Sequence, residues 1–185
     1  SRLGSRLHME RYGKFISARE AGILGRPPGV SSRARARRSR AVNTVRPGVD
    51  IGGTNVRVGF VDGNCRVILY SAVRISREKG IADVFQVAAI AGRLIKEGAK
   101  KLEKAGWNVI RRISVSAPGA YLRNGGVYPG TTPNIAGLTG IRLYRVLAEK
   151  LGAGWKIGPR NILNDGVAQG LVAAQIYAAQ NRRFR

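Results

Sequence analysis

From Pro47 onward the chain alternates apolar and polar positions in short runs. "GVDIGG", "VRVGFVD" and "CRVILYSAVRIS" are rich in β-branched residues and broken by glycine, the pattern of successive strands. Asp62-Gly63-Asn64 lies between the second and third runs. Gly and Asn tolerate positive φ, so this is hairpin chemistry and predicts an antiparallel meander. The period then changes. Val84, Val87, Ala88, Ala91, Leu94, Ile95, Ala99 and Leu102 recur at steps of three and four, predicting an amphipathic helix over 81–105. Arg93, Lys96, Lys100 and Lys104 fall mostly on its other side, and Gly106 is placed to stop it. "RRISVSAPG" reads as a buried strand ending in a Pro-Gly turn, and "YLRNGGVYPGTTPNIAGL" as a long loop. A helix over 141–151, a short strand over 161–164 and an alanine-rich helix over 167–179 follow. The order β-β-β-α-β-α-β-α predicts an α/β fold, a mixed sheet with helices packed on it.

The segment before Pro47 has a different character. "RPPGVSSRARARRSRAVNT" joins a Pro-Pro-Gly break to a dense arginine run. Like charges in such a block repel, so residues 1–45 are expected to form a disordered leader ahead of a folded unit over 46–185. The leader is also compatible with an Arg- and Ser-rich organelle-targeting segment. Net charge is +23; residues 1–46 hold 12 basic and 2 acidic residues, and residues 47–185 hold 21 and 8. The excess therefore spans the chain and is about twice as dense in the leader. It raises a polyanion as partner. Beside that charge there is no aromatic interleaving, finger spacing or recognition-helix pattern, so nucleic acid is not the expected partner. No apolar run reaches the roughly 18–20 residues of a membrane span. A single cysteine, Cys65, excludes an internal disulfide framework, and with His8 as the lone histidine it does not supply a zinc site. A reducing, cytoplasmic setting is expected.

Three short constellations carry candidate chemistry. In "DIGGTN", Gly52 and Gly53 let backbone N–H groups approach a phosphate without side-chain obstruction. Thr54 and Asn55 add side-chain donors, and Asp50 is placed to hold Mg²⁺ through water. A hairpin whose glycines merely fit the turn explains the same residues. In "NILNDGVAQG", Asn164 and Asp165 end a short apolar run just before a helix. Asp165 can accept a proton from a substrate hydroxyl attacking a phosphoryl group, or the pair can serve as a helix N-cap. In "PGTTPNIAGL", Asn134 follows a proline. Its amide suits a polyhydroxylated ligand, and also an ordinary turn.

Together, "DIGGTNVRVGFVD", "SVSAPGAY", "TTPNIAGL" and "NDGVAQG" resemble the ROK family of sugar kinases and related repressors, in the actin-like ATPase superfamily. The resemblance runs from Arg46 to about Gln180. It implies a ribonuclease H-like lobe, a single actin-like ATPase lobe of two, with ATP and Mg²⁺ as cofactors and a hexose as substrate. Asp165 would then be the catalytic base. Asn134, Asn164 and Gly119 would lie at the sugar, and Asp50, Gly52, Gly53, Thr54 and Asn55 at the nucleotide. The family's second lobe has no counterpart after Asp165, so this chain alone is expected to be incomplete as an enzyme. A sugar-responsive transcriptional regulator and a polyanion-binding protein using the basic leader are the alternatives, and a homo-oligomer is left open.

Overall fold

A computed structural model describes residues 43–75, 82–132 and 135–181. The leader up to residue 42 and Asn134 lie outside the described residues. The first three strands are β1 (Thr44–Ile51), β2 (Asn55–Asp62) and β3 (Val67–Arg74). They form the expected antiparallel meander, with Val49 opposite Val58 and Phe60 opposite Leu69. Alternation sets the faces: Val45, Val49 and Ile51 of β1 and Val56, Val58 and Phe60 of β2 are buried, while Asp50 and Arg57 lie on the other, half-open face.

The β2–β3 connection differs from expectation in one respect. The positive φ falls on Cys65, at 61°, and not on Gly63 or Asn64. Cys65 N–H closes a turn onto the Asp62 carbonyl at 3.0 Å, the geometry of a three-residue hairpin loop whose last residue is left-handed. The Asp62 carboxylate fixes it by accepting from Asn64 N–H (2.8 Å), Arg66 N–H (2.9 Å) and Arg66 Nε (2.7 Å). Burial alone would raise the Asp62 carboxyl, but these donors outweigh it and hold it below the usual carboxylate range.

Helix α1 (Val84–Lys104) covers the buried face of the meander. It starts at Asp83, whose carboxylate accepts from Phe85 N–H at 2.9 Å and Gln86 N–H at 3.1 Å, a standard N-cap. Gly106, at φ 82°, follows its end as expected. The chain returns through β5 (Asn108–Val109) to β6 (Ser114–Ala117), both parallel to β1. Ala82–Asp83 (β4) and Ile135–Ala136 (β7) form a separate two-stranded ribbon. Helix α2 (Leu143–Leu151) packs on α1, and Lys96 Nζ donates to the Lys150 carbonyl at 2.9 Å, satisfying an orphan acceptor at the α2 C-terminus. Strand β8 (Ile162–Asn164) joins β6 in parallel and runs directly into α3 (Asp165–Asn181).

The main sheet therefore has the order β3-β2-β1-β6-β8, with β5 beside the start of β1. This is the expected α/β mixed sheet with flanking helices, elaborated by two-residue strands that are too short to read from periodicity. Among the described residues no helix is long and apolar enough to cross a membrane.

Two polar side chains are buried among the described residues, Ser71 and Thr132, and the first is unmet. Ser71 on β3 is fully buried and its Oγ has no hydrogen-bond partner among the described residues. An unmet buried hydroxyl costs about 1–3 kcal/mol. Ser71→Ala is therefore expected to stabilise the chain by about 1 kcal/mol, read as an upward shift of the urea midpoint. A downward shift would show that the hydroxyl has a partner in solution.

Candidate functional site

The parallel strands β1, β6 and β8 end on the same edge of the sheet. In register, Asp50 of β1 lies opposite Ser116 of β6, which lies opposite Leu163 of β8. Neighbouring strands are about 4.8 Å apart, so the β1 and β8 ends are about 10 Å apart. That edge gathers the Gly52–Asn55 turn, the Pro118–Gly119 turn and the Asn164–Asp165 pair. The carboxyl ends of strands in open α/β sheets are where ligands are bound.

The β1–β2 turn is closed by Gly52 N–H donating to the Asn55 carbonyl at 2.9 Å, and the Thr54 carbonyl accepts from Ile75 N–H at 2.8 Å. Gly53 and Thr54 each engage a further neighbour. A Cβ on Gly52 would meet only the Asn55 carbonyl at 3.5 Å and Arg57 Nη1 at 4.0 Å. These are ordinary contacts, and Gly52 is not in the left-handed region. The fold itself therefore does not demand glycine there. Asp50 accepts from Arg57 Nη1 at 2.7 Å through Oδ2, with both side chains about two-fifths exposed (41% and 42%). Sequence reasoning missed Arg57. The signal was available, because a tight turn at 52–55 places residues 50 and 57 opposite one another.

Just after β6, the Pro118–Gly119 turn is clamped from two sides. Tyr121 Oη donates to the Pro118 carbonyl at 3.1 Å, and Asn164 Nδ2 donates to the Gly119 carbonyl at 3.0 Å. Gly119 has φ 113°, and a Cβ there would lie 2.5 Å from Thr132 Cγ2. Here glycine is required by both backbone and packing. The segment that follows folds back on itself: Tyr121 bridges Val127, Tyr128 N–H donates to the Ala120 carbonyl at 2.9 Å, and Ala120 N–H donates to Thr131 Oγ1 at 3.1 Å. Against Thr139–Arg142 it leaves a recess of about 180 Å³.

The Asn164–Asp165 pair divides its duties. Asn164 Oδ1 accepts from Val167 N–H at 3.2 Å, so Asn164 is the N-cap and α3 starts two residues earlier than its periodicity suggested. Its amide keeps one N–H and one lone pair beyond those spent on Gly119 and Val167. Asp165 is half-buried, and its Oδ1 accepts from Gly166 N–H at 2.9 Å. Burial first, and then the negative charge of Asp165, push the Tyr121 hydroxyl well above the ordinary tyrosine range. Tyr121, absent from the sequence-derived candidates, therefore lies within electrostatic reach of Asp165.

The residues present fit the expected cofactors unequally. At the β1–β2 turn the absence of a side chain on Gly52 and Gly53 leaves the backbone approachable by a phosphate. Asp50 Oδ2 is engaged by Arg57, and among the described residues no group of three or more His, Cys, Asp or Glu could hold a metal. Magnesium here would need most of its ligands from phosphate and water, which is its usual preference.

No protein-family model matches the chain, and no curated protein matches it in sequence. Several solved structures do. The ROK hexokinase from Thermus thermophilus is 26% identical, with a TM-score of 0.44 over 65% of this chain and 35% of its own. A ROK family glucokinase from Streptomyces griseus, in complex with glucose and AMPPNP, is 20% identical, with a TM-score of 0.42 over 62% of this chain and 32% of its own. A ROK family transcriptional regulator, a homologue of the E. coli MLC protein, is 13% identical, with a TM-score of 0.49 over 82% of this chain and 34% of its own. The chain thus spans about a third of the length of these proteins, and what it is similar to is ROK family proteins, sugar kinases and a transcriptional regulator among them.

Proposed function

We propose that residues 46–185 form the N-terminal lobe of an ATP-dependent sugar kinase that phosphorylates a hexose hydroxyl. The observation that carries this reading is the convergence on one sheet edge of the Gly52 turn, the Gly119 turn and Asp165. Phosphoryl transfer asks for a base beside the acceptor hydroxyl and a cradle for the phosphates, with positioning supplying most of the rate.

Asp165 accepts the proton from the sugar hydroxyl as that oxygen attacks the γ-phosphorus, whose bond to the bridging oxygen breaks to release ADP. Asn164, fixed by its bonds to Gly119 and Val167, offers its remaining N–H to a sugar oxygen. Gly119 sets the loop beside it, and Asn134 is the further sugar contact that the motif implies. Gly52, Gly53, Thr54 and Asn55 face the phosphates. Asp50 would hold Mg²⁺ through water, and the ion would supply charge neutralisation at the phosphates.

Gly52 gives the sharpest test on this chain. Because the fold tolerates a Cβ there, Gly52→Ala is expected to leave the unfolding midpoint unchanged while weakening ATP–magnesium binding about tenfold, by blocking close backbone approach. Calorimetric titration alongside urea unfolding reads both. Unchanged affinity would remove the turn from the nucleotide site, and a two-lobe protein that includes these residues and binds neither ATP nor hexose would overturn the reading as a whole.

A further inference from the structure

The outward face of α1 carries a surface that shares no residue with the site above. Arg93, Lys96, Lys100 and Lys104 are all exposed. Helical spacing sets them on one stripe about 16 Å long, at steps of about 4.5 to 6 Å. The stripe borders a groove of about 410 Å³ between α1 and α2, lined by Ala89, Arg93, Lys96, Glu97 and Lys150. Lys96 is held in place by its bond to the Lys150 carbonyl. The two carboxylates on this helix face are already matched: Glu97 lies 4.0 Å from Arg93, and Glu103 lies 3.0 Å from Arg111. Lys100 and Lys104 have no ion pair among the described residues, which hold 17 basic and 7 acidic side chains in all.

At the N-terminal end of the stripe, about 12 Å before Arg93, Phe85 is 48% exposed. Cations at these steps match a phosphate backbone, and an exposed aromatic matches the face of an unpaired base. A duplex offers no unstacked base to the ring, and a polyphosphate or lipid surface offers none at all.

Against the sequence expectation that nucleic acid is not a partner, we infer that the α1 face from Phe85 to Lys104, with Lys150 across the groove, binds single-stranded nucleic acid, the cations tracking phosphates and Phe85 stacking on a base. The experiment uses the full chain and fluorescence anisotropy over a salt series. The probes are a single-stranded oligonucleotide of mixed sequence, the matching duplex, long-chain inorganic polyphosphate and anionic vesicles. The leader adds its own attraction, so the readout is the difference between variants. Removing three phosphate contacts with R93Q/K100Q/K104Q is expected to lower the slope of log affinity against log salt by about 2. K100R/K104R should keep the slope. Phe85→Ala should weaken single-strand binding about tenfold and leave duplex binding unchanged. An equal-charge control, R74Q/K156Q/R160Q, should change the slope by much less. If that control matches the α1 variant, the effect is net charge and the proposal fails. It fails equally if Phe85→Ala has no effect on single-strand binding, or if it weakens duplex, polyphosphate or vesicle binding as much as single-strand binding.

Discussion

Asp165→Asn is expected to lower sugar-dependent ATP turnover by about two to four orders of magnitude, the range for loss of a general base. The proposed reading makes this the largest functional effect in the lobe, and the assay needs a two-lobe kinase that includes these residues. The substitution is nearly isosteric. The α3 N-cap is Asn164, through Val167 N–H, so capping is untouched. The Gly166 N–H that now meets Asp165 Oδ1 can meet the amide oxygen of Asn instead. Helix stability should therefore hold, apart from the modest loss of a negative charge in the first helical turn. Hexose binding should persist, because the amide still occupies the same place. The change removes only the ability to take a proton. A loss in kcat with KM for the sugar nearly constant would mark an interaction made in the transition state. Unchanged turnover would remove Asp165 as the base. Turnover lost together with hexose affinity would point to a binding role.

The sequence made the meander and α1 legible because one face of each is buried. Alternation at Val45, Val49 and Ile51 and the three- and four-residue steps from Val84 to Leu102 record that burial directly. The same logic could not find β4, β5 and β7, whose two residues each are too few to show a period. It misplaced the turn residue at Cys65 because the Asp62 carboxylate, and not glycine's freedom, organises that loop. At the candidate site, the turn glycines and the Asn-Asp pair were visible as chemistry. What sequence left undivided was the pair itself, and three-dimensional contacts divide it: Asn164 caps and braces while Asp165 stays half-buried beside the turn. Tyr121 escaped notice because its link to Asp165 depends on how the loop after β6 folds back, which no spacing rule encodes.

Gly98 shows how completely tertiary contact can invert a local preference, and it yields the largest expected change in stability. In the middle of α1, glycine costs about 1 kcal/mol relative to alanine, so Gly98→Ala would ordinarily stabilise. Here a Cβ would lie 2.3 Å from Phe60 Cε2 and 2.9 Å from Cζ. Phe60 is fully buried on β2, under the helix, and its ring has no solvent side to turn toward. Overpacking of this kind costs about 1–3 kcal/mol and more when the partner cannot move. Gly98→Ala is therefore expected to destabilise the chain by about 2 kcal/mol, despite the gain in helix propensity. Phe60→Leu removes the ring atoms in the way and, alone, leaves a cavity. In the double variant the alanine methyl and the shortened side chain share that space, so the two losses should fall short of additive by about 1–2 kcal/mol. Urea unfolding of the four proteins in the cycle measures this coupling. A stabilising Gly98→Ala, or strict additivity with Phe60→Leu, would mean that α1 does not lie against β2 at this distance and would dislodge the helix that the sheet edge depends on.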